Sequence, residues 1–273
     1  MTATERTENG LYYRQWSDVE TPKACIMLIH GLGEHCQRYD SFAEHLSRAD
    51  YAVYSMDLPN HGKSEGLKGH VDSFDDFANA AAGLYQRIKS QNATAPIYLL
   101  GHSMGGLVSA HYLIDHQAEF AGAILSGPAI ESPQAPPAWQ VALMKFISLF
   151  APKLGMLELD GNLVSRDPAV VKDYMQDPLN NHNKLSAKLL VEFFKTMSEV
   201  KQAASKISLP ILLMHGQADK LTAPSGSKWL HDNVSSTDKK LNIYPELFHE
   251  IFNEPESQSI FAEVVDWLNA RQT

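Results

Sequence analysis

Residues 95–113 read APIYLLGHSMGGLVSAHYL. Pro96 introduces a short, continuously apolar run, Ile97 to Leu100, which predicts a buried strand. From Leu107 onward the apolar residues fall at Leu107, Ala110, Leu113 and Ile114, the spacing of one helix face. Between strand and helix, Gly101 and Gly105 bracket Ser103 in a G-x-S-x-G pattern. A serine forced into a sharp strand-to-helix turn needs neighbours without side chains, since a larger residue would collide with strand or helix. The pattern therefore predicts a turn that projects Ser103 outward as a candidate nucleophile.

Strand and helix patterns alternate around this turn. A strand is expected in KACIMLIHG (23–31), followed by a helix with Phe42, Leu46 and Ala49 on one face. YAVYSMDLPNHG (51–62) gives a second strand. The helix in SFDDFANAAAGLYQRIKSQ (73–91) has Ser73 as its cap, Asp76 in its first turn and Phe77, Ala81, Leu84 and Ile88 as its buried stripe. The strand FAGAILSG (120–127) follows the helix after Ser103. Repeated β-α-β units of this kind build a parallel sheet covered on both faces. The rhythm breaks after Gly127 with a proline-rich opening, PAIESPQAPPAW, and helical segments without a convincing strand. It resumes with a strand in SLPILLMHGQAD (208–219), a helix, the strand KLNIYP (240–245) and a terminal helix in SIFAEVVDWLNA (259–270). The expected division is a core in 1–127, a helical insertion in 128–205 and the rest of the core in 206–273. Such an insertion would lie as a lid over the carboxyl ends of the strands, where open α/β sheets bind ligands.

Composition narrows the class. The 273 residues carry a net charge of −9, which argues against a nucleic-acid partner. The two cysteines, Cys25 and Cys36, are too few for a disulfide scaffold, and no Cys/His cluster has the spacing of a metal site. Cys25 falls in an expected strand and reads as a small buried hydrophobe. No apolar run reaches membrane-spanning length, and MTATERTENG lacks the apolar stretch of a secretory signal. An intracellular, soluble chain is expected.

A serine hydroxyl needs a general base, and the base a carboxylate to orient it. When the serine stands on such a turn, the acid and then the histidine follow it in the chain. Asp219 comes after the strand PILLMHG, and His249 after LNIYP. Two backbone N–H groups must also face the negative charge that develops on the substrate oxygen. Met104, next after the serine, supplies one. Leu32, in the loop His30-Gly31-Leu32-Gly33 after ACIMLI, supplies the other.

In this set of motifs the chain resembles the monoacylglycerol lipases and their lysophospholipase-like relatives in the α/β-hydrolase superfamily. The resemblance runs through HGLGEHCQRY, DLPNHGKSEG, LLGHSMGG, LVSRDP with QDPL, HGQADKLT and FHEIFNE, in that order. It implies the α/β-hydrolase fold: a mostly parallel central sheet, helices on both faces and a helical cap. It also implies Ser103 as nucleophile, His249 as base and Asp219 as orienting acid, with Leu32 and Met104 as oxyanion donors. Glu34 and Arg38 of the GEH loop either line the pocket for the substrate's alcohol part or hold the loop as an ion pair. His102 either contacts that alcohol or packs. Some relatives carry a second histidine three positions after the catalytic one; here that position is Phe252. Asp57 and His61 read as shaping the turn in DLPNHG. No metal or organic cofactor is implied.

The expected activity is hydrolysis of a single-chain acyl lipid, with monoacylglycerol first and a lysophospholipid or short-chain ester next. A related aminopeptidase activity is not expected, because the chain shows no acidic cluster placed to hold an amino terminus. A non-catalytic binder on the same fold would be expected to have lost a member of the triad. Finally, PPAWQVALMKFISLFAPKLGML (136–157) places Trp139, Leu143, Phe146 and Phe150 on one helical stripe, widened by Met144 and Ile147. Either the stripe packs on the core, or part of it is exposed and touches a lipid surface transiently.

Overall fold

The computed structural model describes residues 3–16, 19–134 and 136–272. The first elements are β1 (Thr4–Glu8), β2 (Leu11–Trp16), β3 (Ala24–Ile29), α1 (Asp40–Arg48), β4 (Tyr51–Met56) and α2 (Asp75–Gln91). They are followed by β5 (Ile97–His102), α3 (Met104–His116) and β6 (Gly122–Ser126). Next come α4 (Ala138–Phe150), β7 (Gly155–Leu157), α5 (Pro168–Gln176), β8 (Leu185–Ser186) and α6 (Ala187–Ala203). The chain closes with β9 (Ile211–Gly216), α7 (Pro224–Asn233), β10 (Lys239–Tyr244) and α8 (Ser257–Asn269). Eight strands form one sheet in the order β1-β2-β4-β3-β5-β6-β9-β10. From β4 to β10 every pairing is parallel, and β1 and β2 extend the sheet antiparallel at one edge.

Why both faces are covered is visible in the strands themselves. In β3, Cys25, Met27 and Ile29 join one core while Ala24, Ile26 and Leu28 join the other, the period of two that a pleated strand imposes. β5 repeats this, with Ile97 and Leu99 on one side and Tyr98 and Leu100 on the other. The first face is closed by the stripe Phe77, Ala81, Leu84 and Ile88 of α2, by α3 and by Leu189, Leu190 and Val200 of α6. The second is closed by Phe42 and Leu46 of α1 and by Ile260, Phe261, Val264 and Leu268 of α8. The cap position of α2 is Phe74, not Ser73 as expected; Ser73 stands one residue earlier, its hydroxyl accepting from the Asp75 N–H at 3.2 Å while Asp76 accepts the Ser73 N–H at 3.3 Å.

Two features differ from the sequence reading. The β1–β2 hairpin was not anticipated. The segment between β6 and β9, expected to be strandless, carries the short antiparallel pair β7–β8 besides its helices. Among the described residues no helix is long and apolar enough to cross a membrane.

Candidate active site

Ser103 sits between β5 and α3 with φ 54° and ψ −119°, a region that a side chain occupies only when its surroundings enforce it. Here they do. The Ser103 N–H donates to the Ser126 carbonyl at 2.9 Å, and the Ser103 carbonyl accepts from Leu107 and Ala129 at 3.1 and 3.0 Å. The bracketing glycines are sterically required. A Cβ on Gly101 would stand 2.3 Å from Ser109 Oγ, and one on Gly105 would stand 2.2 Å from the Ile29 carbonyl oxygen. The start of α3 thus abuts the end of β3, which brings Ser103 beside the loop that follows β3.

Asp219 follows β9 and His249 follows β10, both at the carboxyl ends of the parallel strands. His249 Nδ1 donates to Asp219 Oδ2 at 2.6 Å, and both residues are buried. Asp219 Oδ1 accepts the N–H groups of Leu221 and Thr222 at 2.7 and 3.0 Å, so the carboxylate cannot rotate freely. A second imidazole, that of His215, reaches the same Oδ2 at 3.1 Å. Because that carboxylate can only accept, the proton of His215 is assigned to Nε2, and its other nitrogen, Nδ1, then accepts from the Ser227 hydroxyl at 2.7 Å. Burial alone would raise the Asp219 carboxyl, but His249 and His215 outweigh it and hold it well below the usual carboxylate range. For His249 burial works against the imidazolium, yet the charge and hydrogen bond of Asp219, with Glu250 and Glu34 beyond, raise it above the ordinary histidine value.

The loop after β3 is held from below by Glu34. Its Oε1 accepts the Gly31 N–H at 2.6 Å and the Tyr39 hydroxyl at 2.7 Å, and its Oε2 accepts Arg38 Nε at 3.3 Å. His30 ties the same loop to the end of β4, accepting the Leu58 N–H at 2.9 Å on Nε2. Among the described residues, the N–H groups of Leu32 and Met104 donate to no protein acceptor. For Met104 this follows from its place as the first residue of α3. Burial opposes the Glu34 carboxylate, but the Arg38 guanidinium and the Tyr39 hydroxyl outweigh it and hold the group below its ordinary range.

Arg38 does not reach the cavity beside Ser103. It is buried against Tyr174, 4.7 Å from the ring centroid, and pairs with both Glu34 and Glu250. His102 does reach the cavity. Its ring centroid lies 4.7 Å from that of His249, and its Nδ1 is 3.2 Å from Ser126 Oγ. Burial and the neighbouring His249 push its conjugate acid down to about 3, so it is a neutral imidazole beside the nucleophile. Phe252, at the position of the second histidine of some relatives, stacks on Phe42 at 4.5 Å and is core. Asp57 accepts the Cys36 and Lys63 N–H groups at 2.8 and 2.7 Å and shapes its turn.

Ser103, His249, His102, Leu32 and Glu34 line one cavity of about 140 Å³. The segment between β6 and β9 supplies much of its apolar wall, including Leu157, Leu159, Leu185, Leu189, Leu190, Phe193 and Phe194. The cavity adjoins a cleft of about 510 Å³ that shares Leu157, Leu159, Leu190 and Phe194 and extends to Pro136, Gln140 and Met144 beside α4. Two site residues, Glu250 and His215, and the cavity-lining Tyr174 escaped the sequence reading. Glu250 could have been suspected as a charge directly after the histidine; the other two carry no local signal.

The chain is similar to known proteins over nearly its whole length. Residues 20–256 match the family described as serine aminopeptidase, S33. The chain is 34% identical to the monoacylglycerol lipase of Mycolicibacterium smegmatis, over 94% of this chain and 92% of that one. It is 30% identical to the phospholipase YtpA of Bacillus subtilis, over 89% and 93% of the two chains. A crystal structure of the Paleococcus ferrophilus monoacylglycerol lipase superposes with a TM-score of 0.86 at 33% identity, covering 96% of this chain and 99% of that one. With a matching family model across most of its length and relatives a third identical over nearly all of it, the chain belongs to the monoacylglycerol lipase-like group of the α/β-hydrolases described by that S33 family.

Proposed function

We propose that this protein is a serine hydrolase that cleaves monoacylglycerols to fatty acid and glycerol through an acyl-enzyme. The observation that carries the reading is that His249, bound to the buried Asp219, lines the same cavity as Ser103. His249 Nε2 takes the proton of Ser103 Oγ as the hydroxyl attacks the ester carbonyl. The oxyanion is held by the Leu32 and Met104 N–H groups. The tetrahedral centre collapses as His249 returns the proton to the departing glycerol oxygen. Water, deprotonated by the same imidazole, then attacks the acyl ester, and its collapse frees the fatty acid and restores Ser103.

The segment 128–205 acts as the cap. Its leucines and phenylalanines wall the cavity, which suits one acyl chain, and α4 forms its outer edge. Of the stripe expected on α4, Trp139, Leu143, Phe146 and Phe150 are exposed, as is the neighbouring Leu149, while Met144 points inward. An exposed apolar ridge beside a lipid-binding cleft suits a transient landing on a membrane surface.

Kinetics across monoacyl-, diacyl- and triacylglycerols, lysophospholipids and short-chain esters test the reading. The highest kcat/KM is expected for a monoacylglycerol. A lysophospholipid preferred over every glyceride would replace this reading with the phospholipase one that the likeness to YtpA favours.

A further inference from the structure

The cavity beside Ser103 is walled by apolar side chains and by charged ones, and the charges are of one sign. Four carboxylates line it, those of Glu34, Glu131, Asp160 and Glu250, and neither lysine nor arginine does among the described residues. Their compensation is uneven. Lys201 pairs with Glu131. Asp160 is exposed and binds only the N–H groups of Asn162, at 3.0 and 2.8 Å, so water screens it. Glu34 and Glu250 are buried and share a single guanidinium, that of Arg38. Two buried carboxylates facing one cation leave the end of the cavity at Glu34 and Glu250 with an excess of negative charge where screening is weak.

This end is where the alcohol departs. Glu250 is the residue next to His249, whose imidazole must protonate the leaving oxygen, and Glu34 supports the loop that carries Leu32. Much of the remaining wall is leucine and phenylalanine, suited to the acyl chain. Resting on the hydrolase reading above, we propose that Glu250, with Glu34, makes the alcohol subsite electronegative, so that the enzyme accepts an uncharged polyol as leaving group and rejects one bearing a phosphate. A monoacylglycerol and a lysophosphatidic acid of the same chain share the acyl group and the ester. They differ in a phosphate on the glycerol that leaves. The discrimination is electrostatic, and one carboxylate supplies the excess charge.

The test compares 1-oleoylglycerol with 1-oleoyl lysophosphatidic acid, each dispersed in the same uncharged detergent micelles. The wild-type protein should favour the neutral lipid in kcat/KM by well over tenfold. Glu250→Gln keeps the shape of the side chain and leaves Arg38 balanced by Glu34 alone. The ratio should then fall by about tenfold or more, the scale expected when one charge a few ångströms away is removed from a partly buried site. Most of the change should be a gain on the phosphorylated substrate. In the wild-type protein, independently of any variant, glycerol should inhibit hydrolysis of a soluble short-chain ester at lower concentration than glycerol 3-phosphate. Comparable wild-type rates on the two lipids, an unchanged ratio in a folded Glu250→Gln protein, or stronger inhibition by glycerol 3-phosphate would each overturn the inference while leaving the hydrolase intact. Failure to hydrolyse 1-oleoylglycerol at all would instead overturn the reading on which it rests.

Discussion

Two imidazoles converge on one oxygen of Asp219, and the consequence is kinetic. The acid is fixed by two backbone N–H groups and by His215, so the imidazole of His249 is held through Nδ1, and Nε2 is the nitrogen proposed to serve Ser103. Because Asp219 raises the histidine above its ordinary value of about 6.5, the base form is lost as pH falls through that raised value. Hydrolysis of a soluble short-chain ester should therefore climb with pH through a single ionisation and then level off. Asp219→Asn should lower kcat by about 10⁴, as removal of the orienting carboxylate does in a serine-protease triad. It should also move the remaining ionisation to lower pH, because the charge that raised it is gone. A rate flat between roughly pH 5 and 9, or a folded Asp219→Asn protein of ordinary activity, would contradict a histidine base. At this scale Ser103, Asp219 and His249 were legible because each follows an apolar strand in a fixed chain order. His215 was not, because its link to Asp219 is made by side chains converging across a turn.

Helix α4 and the first hairpin show what elements reveal and hide. Phe146 and Phe150 lie with ring centroids 5.1 Å apart on the exposed side of α4, 61% and 76% accessible, so they are poorly placed to stabilise the fold. Each large apolar side chain moved from water into lipid contributes ~1.5–3 kcal/mol. The double change Phe146→Ser/Phe150→Ser should therefore weaken vesicle binding by about a hundredfold or more while sparing turnover of a soluble ester. Unchanged binding, measured by vesicle sedimentation, would remove the membrane role. The apolar stripe of α4 was readable at helical spacing; that it faces outward was not, since an apolar run has the same pattern whichever way it turns. The β1–β2 hairpin was hidden for the opposite reason. β1 reads Thr-Glu-Arg-Thr-Glu on an edge and buries nothing that periodicity could detect. Its signal is the turn: Asn9 and Gly10 have φ 51° and 76°, the left-handed pair that Asn-Gly favours between antiparallel strands.

Across the whole molecule, Ser103, Asp219 and His249 come from the ends of three different strands, β5, β9 and β10, which the sheet order sets apart by β6. The alternating strand and helix patterns made this sheet legible, since β3, β4, β5, β6 and β9 each feed both cores. The balance of charge in the cavity was illegible. It depends on Arg38 reaching Glu250 across 212 residues of chain, a meeting that only the folded molecule arranges. The central claim is that Ser103 carries the acyl group in turnover. Acid quenching during hydrolysis of 1-oleoylglycerol, followed by digestion and mass spectrometry, reads this directly. The account predicts an oleoyl ester on the peptide containing Ser103, absent from Ser103→Ala, which should release no glycerol. An acyl group on another residue, or glycerol release by a folded Ser103→Ala protein at the wild-type rate, would contradict it.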